Sequence, residues 1–235
     1  MKPAPDFVRT EANPLSNADL RFLIDHFPRR GLDVREVARF LDVLPNTVES
    51  MLESDFVFEK IMLDRQGFIE ISPFLFFNVL LRRSLQTRRE PGERRVINYL
   101  AGMLSLFLQT ERLFRVQPHE DRTFEYLVDL AAEAARSDTD RRFLVHSHMG
   151  NYALFLAGMH APWLEHRYRF SKRTVSPDYY RQMGCSSYQV AARHTLAKQY
   201  GLQEVFERLA ARFENYRQVL GRLAGVIRLN AGAPA

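Results

Sequence analysis

The chain has 235 residues, of which 46% are hydrophobic and 11 are glycine, a composition that favours helices over a β-sandwich with its frequent turns. Its single cysteine, Cys185, excludes an intramolecular disulfide and suits a reducing compartment. The net charge of +5 is uneven, because residues 1–72 carry 9 Lys/Arg against 13 Asp/Glu, whereas residues 73–235 carry 24 against 15. The N-terminal stretch MKPAPDFVRT lacks the apolar region of a secretory signal, so we expect a cytoplasmic protein.

The charge asymmetry predicts two units with different surfaces. We expect an acidic helical unit over residues 16–72 and a basic main helical bundle over residues 73–229. Residues 1–15 hold three prolines and predict an N-terminal arm, and residues 230–235 (NAGAPA) predict a disordered tail. The predicted fold class is therefore an all-α multi-helix bundle with a small N-terminal unit.

Helix-start signals open the predicted acidic unit. Ser16 or Asn17 is the expected N-cap of the helix SNADLRFLIDHF, and Asp33 is the expected N-cap of DVREVARFLDVL. Pro45 stands at the first turn of PNTVESMLES. Residues 55–72 are ambiguous between two strands and a helix followed by a turn. We favour the helix because three residues continue a 3.6-residue period, namely Phe56, Lys60 and Leu63.

The segment VREVARFLDVLPNTVESMLE, residues 34–53, resembles a helix-turn-helix unit. Six apolar residues occupy the inward positions of that motif, namely Val37, Ala38, Leu41, Val43, Val48 and Met51. The resemblance implies a DNA-binding regulator, but Asp42 replaces the usual glycine of the turn. Glu49 and Glu53 lie on the would-be recognition helix, where a polyanion needs Lys or Arg. We therefore favour a helix pair that serves packing, and keep DNA binding as an alternative.

From Pro73 onwards the helical pattern strengthens. PFLFFNVLLRRSL is apolar on all sides and predicts a buried helix. The arginine-rich stretch RRSLQTRREPGERR includes a solvated break, REPGERR. The next helix, RVINYLAGMLSLFLQ, carries a single apolar stripe, which consists of Val96, Tyr99, Leu100, Met103 and Phe107.

Four of the seven histidines fall between Val145 and Tyr168, on a helix that Asp138 or Thr139 caps and that stops near Pro162. His146 and His148 are about 200° apart on a helix, and His146 and His160 are about 21 Å apart along it. Neither pair can hold one metal ion, since zinc–nitrogen bonds are about 2.0 Å long. We expect one continuous buried helix from Phe143 to His160.

Small residues line one side of that helix, and this predicts close approach of a neighbouring helix, with the row His146, Gly150, Ala153, Ala157 and His160. Buried polar side chains need partners, so His148 and Asn151 should be hydrogen-bonded inside the bundle. His194, on the small-residue stripe of the following helix, is one candidate partner. The alternative is a metal- or cofactor-dependent helical enzyme that uses Asn151 and the weak metal ligands His148, His166 and His194.

Pro177 opens the helix PDYYRQMGCSSYQVAARHTLAKQY, which Gly201 closes. Cys185 and His194 are nine residues apart, and half a turn separates their directions, so they do not form a nucleophile–base pair. No dinucleotide, P-loop or Gly-x-Ser-x-Gly motif occurs. The sequence predicts no catalytic residues and no cofactor, and leaves catalysis uncertain but disfavoured.

The last helix carries apolar residues at alternating spacings of three and four. These residues are Phe206, Leu209, Phe213, Tyr216, Leu220, Leu223 and Ile227. This spacing is a heptad seam over three heptads. We favour a seam that packs inside the bundle, and keep a homodimer through this helix as the alternative.

A basic segment with interleaved aromatic residues follows the histidine helix. It contains Arg167, Tyr168, Arg169, Lys172, Arg173, Tyr179 and Tyr180. Cations among aromatic rings can hold an anionic ligand, an acidic protein or, with weaker support, nucleic acid. The alternative is a solvated loop between helices without a partner. We expect a non-catalytic binding or regulatory protein of bacterial type, with no membrane span, that acts through this surface.

Overall fold

A computed structural model describes residues 5–7, 15–26, 45–63, 71–85, 90–170 and 175–232. The described part of the chain forms thirteen helices and no strand, so the protein is an all-α multi-helix bundle. In chain order the helices are α1 (Asn17–Asp25), α2 (Pro45–Leu52), α3 (Asp55–Leu63), α4 (Pro73–Ser84), α5 (Pro91–Phe107), α6 (Thr110–Phe114), α7 (Leu127–Arg136), α8 (Thr139–Met159), α9 (Ala161–Phe170), α10 (Pro177–Ala192), α11 (Thr195–Gln199), α12 (Gln203–Ala211) and α13 (Phe213–Gly232).

The chain divides into two compact units. The first, here the C-terminal unit, joins Met1–Thr10 to Leu106–Ala235, and the second, here the N-terminal unit, is Glu11–Ser105. The sequence predicts a boundary after residue 72 from the distribution of net charge. The division into compact units does not test that boundary, which stays a prediction.

Local capping signals set the starts of two helices in the N-terminal unit. Ser16 accepts a hydrogen bond from the Asp19 backbone nitrogen while Asp19 accepts one from the Ser16 nitrogen, so the expected cap is a complete capping box. The other oxygen of Asp19 accepts from the Ser72 nitrogen at 2.7 Å. Ser72 in turn caps α4, and its hydroxyl accepts from the Leu75 nitrogen. One carboxylate therefore joins the starts of α1 and α4.

The ambiguous segment is helical over Asp55–Leu63, as the 3.6-residue period predicts, but the buried face is not that of Phe56 and Leu63. Val57 and Ile61 are buried, whereas Phe56 is 53% exposed and Leu63 80% exposed. The period is the same for both faces, so spacing alone did not decide which face meets the core. The first helix of the helix-turn-helix resemblance, with the Asp33 cap, lies outside the described residues.

An ion-pair network occupies the face of α2 that the resemblance would turn towards DNA. Arg82, fully buried on α4, binds the Glu49 carboxylate through both Nη atoms, and its Nε donates to Asn78 at 2.6 Å. Arg94 of α5 lies 3.4 Å from Glu53. The sequence also predicts a solvated break over REPGERR. This prediction is wrong at Glu93, which lies in α5 and whose side chain is buried.

Two small-residue rows explain the close packing of α8 and α10 in the C-terminal unit. A Cβ atom on Gly150 would come within 2.7 Å of the Tyr188 ring, and Gly184 lies against Phe213 and Ala153. The histidine helix is continuous from Thr139 to Met159 and largely buried, as expected, with Asp138 as its N-cap.

The heptad seam packs inside the C-terminal unit. Its residues from Phe206 to Leu223 are buried, and a Cβ atom on Gly158 of α8 would lie 2.6 Å from Leu220. The single predicted helix is in fact two, because α12 ends at Ala211 with Arg212 as its C-cap, and α13 begins at Phe213. The end of α13 at Gly232 also corrects the predicted tail, of which residues 233–235 lie outside the described part.

A second break corrects the helix predicted from Pro177 to Gly201. Helix α10 ends at Ala192, and His194 caps α11, where its Nδ1 accepts a hydrogen bond from the Leu196 nitrogen at 3.1 Å. Gly201 has a φ of 66°, the left-handed conformation that suits glycine at a helix end. In the described part of the chain, no helix combines the length and the apolar character that a membrane crossing requires.

Candidate ligand-binding pocket

The residues of the basic aromatic segment differ in exposure, and the structure does not test whether they form one surface. Arg167 is half-buried in α9, whereas Tyr168 and Arg169 are exposed on the same helix. Tyr179 and Tyr180 are half-buried in the first turn of α10. Lys172 and Arg173 lie outside the described residues.

Arg167 lies at the edge of a cavity of about 500 Å³ in the C-terminal unit, a volume typical of small-molecule sites. We call this cavity the Trp163 pocket. Its floor is buried, and its rim holds exposed aromatic and charged groups. The residues that line it are Leu113, Phe114, Glu125, Tyr126, Tyr152, Leu156, His160, Trp163 and Arg167.

Helical periodicity builds the pocket. Tyr152, Leu156 and His160 stand four residues apart, so they form one row on and just beyond α8. Trp163 and Arg167 are likewise four residues apart on α9. Pro162 lies in the first turn of α9, where its missing N–H does no harm, and the chain redirects from α8 into α9 there. The Leu164 side chain is buried and holds α9 against the unit.

Arg167 stacks on the rim aromatic. Its guanidinium carbon lies 4.7 Å from the centre of the Trp163 ring, a cation–π contact. Burial raises the pKa of both Tyr180 and Tyr152, and the positive charge of Arg167 offsets part of this rise. Arg167 is thus within electrostatic reach of both phenols.

Tyr152 forms the polar part of the floor. Its hydroxyl donates to the Glu125 backbone oxygen at 2.8 Å. Burial raises the pKa of this phenol, and the neighbouring Tyr180 and Glu125 raise it further. Tyr152 is therefore neutral at physiological pH, and its ring is one of four aromatic rings around the cavity, with Phe114, Tyr126 and Trp163.

His148 and Asn151 are buried and make hydrogen bonds inside the unit. The Nε2 of His148 donates to the Leu113 backbone oxygen at 3.1 Å. The Tyr188 hydroxyl donates to the Asn151 Oδ1 at 2.9 Å. Burial, the charge of Arg112 and that of Arg141 lower the pKa of His148 to about 3, despite its bond to Leu113.

The structure does not bring the weak metal-ligand candidates together. His194 is half-buried, caps α11 and stacks on Phe143 at 5.2 Å, so it is not the partner of His148 or Asn151. His166 is exposed and packs on Phe170 at 4.7 Å. Over the described ranges, no three His, Cys, Asp or Glu side chains form a group that could hold a metal ion.

A larger cavity of about 780 Å³ lies elsewhere in the same unit and has acidic walls. Its charged groups are engaged in structural contacts. Glu120 pairs with Arg141, Asp138 caps α8, and Asp6 pairs with Arg112 at 2.7 Å. This cavity is therefore a less suitable ligand site than the Trp163 pocket.

The sequence interpretation missed most of the Trp163 pocket. It named Arg167 but not Trp163, Tyr152 or Leu156. The four-residue spacing of the two rows is visible in the sequence, and His148 begins the row that Tyr152, Leu156 and His160 continue, but no local pattern places Trp163 and Arg167 beside that row. Tyr126 and Glu125 precede α7 in an extended stretch, and no periodicity marks them.

Comparison with known protein families, with curated proteins and with solved structures finds no match to this chain. The geometry of the described residues is therefore the only basis for a statement about function.

Proposed function

We propose that this protein is a non-catalytic, cytoplasmic binding protein of a regulatory kind, whose Trp163 pocket takes an organic anion with an apolar body. The observation that carries the proposal is the Arg167 guanidinium on the Trp163 ring, at the rim of a cavity with a buried floor of Tyr152 and Leu156. An apolar body would lie against the aromatic walls, and the anionic group would meet Arg167.

The Arg167 guanidinium on the Trp163 ring favours an anionic ligand over a cationic one. Aromatic rings around a cavity also suit a quaternary ammonium ligand, but Arg167 already supplies a cation over the Trp163 face. A guanidinium that stacks on a ring keeps its N–H groups at its edge, where a carboxylate or sulfonate can accept two of them. Glu125 also lines the pocket, but its side chain is exposed and water screens its charge.

The state of the buried histidine supports a non-catalytic role. A general acid or base at neutral pH needs a pKa near 7. The pKa of His148 is about 3, and its Nε2 is engaged by the Leu113 oxygen. Tyr152 has its pKa raised and keeps its proton.

Two matched dyes test the proposal. Anilinonaphthalene sulfonate and phenylnaphthylamine share an apolar body, and only the first carries a sulfonate. We expect the sulfonate to bind at least about tenfold more tightly, because hydrogen bonds to charged groups contribute roughly 1.5–3 kcal/mol. Trp163 is the only tryptophan of the chain, so quenching of its emission reports occupation of the pocket.

Three variants locate the binding. Arg167→Gln should remove the preference for the sulfonate, and Leu113→Phe should weaken both dyes by filling part of the cavity. Arg217→Gln, on α13 and paired with Glu214, is the control and should change neither affinity. Equal affinity for the two dyes, or a preference for the sulfonate that survives Arg167→Gln, would overturn the proposal.

The two alternative functions have direct tests. A metal- or cofactor-dependent enzyme that uses His148, Asn151, His166 and His194 predicts metal by elemental analysis or a visible absorption band. A DNA-binding regulator that uses residues 34–53 predicts a gel shift at physiological salt. Against the second, Glu49 and Glu53 of that segment are held by Arg82 and Arg94.

A further inference from the structure

Helix α9 exposes an aromatic and basic stripe on a side other than that of its buried residue Leu164. Trp163 is 46% exposed and Phe170 75% exposed. They are seven residues apart, which places them on one side of the helix, about 10 Å apart along its axis. His166 lies between them and packs on Phe170, and Arg169 is exposed beside it.

We propose that this α9 stripe docks on the surface of a lipid bilayer that contains anionic lipids. Exposed aromatic side chains scattered singly are ordinary, but two on one helix side, interleaved with arginines, match the composition of helices that lie in the bilayer interface. Tryptophan prefers the depth of the lipid headgroups, and arginine the negative surface around them.

The positive charge around the α9 stripe favours an anionic bilayer over a second copy of the chain or a nucleic acid. From residue 161 to residue 173 the sequence has four basic residues, Arg167, Arg169, Lys172 and Arg173, against Glu165 alone. This excess opposes the approach of a second, equally charged copy of the stripe. Single-stranded nucleic acid is a poorer fit, because it is held in a positive groove that tracks the strand, and the stripe is the outer side of one helix.

The docking goes beyond the proposed function and does not require a ligand in the Trp163 pocket. Trp163 belongs to both features, so its emission reports on both. Soluble dyes test the pocket and vesicles test the stripe, and failure of one leaves the other standing.

The experiment uses the full chain with vesicles of phosphatidylcholine alone and with vesicles that also contain phosphatidylglycerol. We expect co-sedimentation with the mixed vesicles only, with release at high salt because screening weakens the attraction. Trp163 emission should shift to the blue and should be quenched by brominated acyl chains. Equal binding to both vesicles, or binding without a change in this emission, would overturn the proposal.

Variants at exposed positions keep the fold and test the stripe. Phe170→Ser should weaken binding to mixed vesicles about tenfold and Arg169→Gln about fivefold. The matched control is Arg228→Gln with Leu229→Ser, a neighbouring pair of the same kind on α13, where Leu229 is 76% exposed. The control should bind as the parent does. Equal loss in control and stripe variants, or tighter and equally Phe170-dependent binding to polyuridylate, would contradict a bilayer as the occupant.

Discussion

Arg82 lies fully buried in the N-terminal unit, and its two Nη atoms meet the two carboxylate oxygens of Glu49 at 2.6 and 3.2 Å. Bidentate geometry of this kind is the strongest arrangement of an arginine and a carboxylate. The negative charge that makes α2 unsuitable for DNA is therefore a counter-charge inside the unit. Its partner Arg82 lies at the end of the helix that the sequence predicts to be buried.

The buried pair predicts a strong and local stability effect. Arg82→Met removes the bidentate partner of Glu49, whose side chain is only 13% exposed and which keeps Arg94 at 3.1 Å, so the free energy of unfolding should fall by about 1.5–3 kcal/mol. Arg83→Met is the control on the adjacent residue, where Asp55 is 67% exposed and the loss should stay under about 1 kcal/mol. Urea denaturation measures both, and equal losses would show that Arg82 is not buried with Glu49.

Close packing of α8 on α10 predicts opposite effects at two glycines. Gly150→Ala places a Cβ atom 2.7 Å from the Tyr188 ring, so overpacking should lower the free energy of unfolding by about 1–3 kcal/mol. Gly225→Ala on α13 meets no atom within 4 Å and should raise it by about 0.5–1 kcal/mol through helix propensity. Thermal denaturation of the two variants measures the signs. A stabilised Gly150→Ala would contradict the close approach.

The bond between Tyr188 and Asn151 predicts a cost for a single oxygen atom. Tyr188→Phe removes the donor to the buried Asn151 Oδ1, and we expect a loss of about 1–3 kcal/mol in the free energy of unfolding. Tyr168→Phe removes a hydroxyl from a side chain that is 51% exposed and should change little. Chemical denaturation compares the two, and the prediction fails if both variants are as stable as the parent chain.

His148 predicts acid sensitivity. Its pKa is about 3 in the folded chain against 6.5 as the ordinary value, so between these limits only the unfolded chain carries the proton. The free energy of unfolding should therefore fall as the pH falls through this window, by up to about 1.4 kcal/mol per pH unit, or about 2 kcal/mol from pH 6.5 to pH 5.

His148→Gln isolates this contribution. The glutamine amide can donate to the Leu113 oxygen as the imidazole does, but it does not titrate. The variant should lose about 2 kcal/mol less than the parent chain between pH 6.5 and pH 5. Denaturation curves at the two pH values give the comparison, and parallel losses in both proteins would contradict a neutral buried His148.

The sequence by itself determined the helical class, several helix starts and much of the core. Ser16, Asp138 and Pro177 marked helix starts because a cap acts on atoms within the first turn. Regular spacing identified the buried stripe of α5 and the heptad seam, because a periodic apolar face must be covered.

Tertiary structure decided which face of α3 is buried, where the helices predicted after Pro177 break, and where the pocket lies. Glu49 and Arg82 are 33 residues apart in sequence, and Asn151 and Tyr188 are 37 apart. No local pattern encodes such pairs, because burial and ion pairing depend on which distant side chains the packed helices bring together. The Trp163 pocket likewise arises from α6, α8, α9 and the stretch before α7, and only their packing turns Arg167 into a candidate ligand-binding residue.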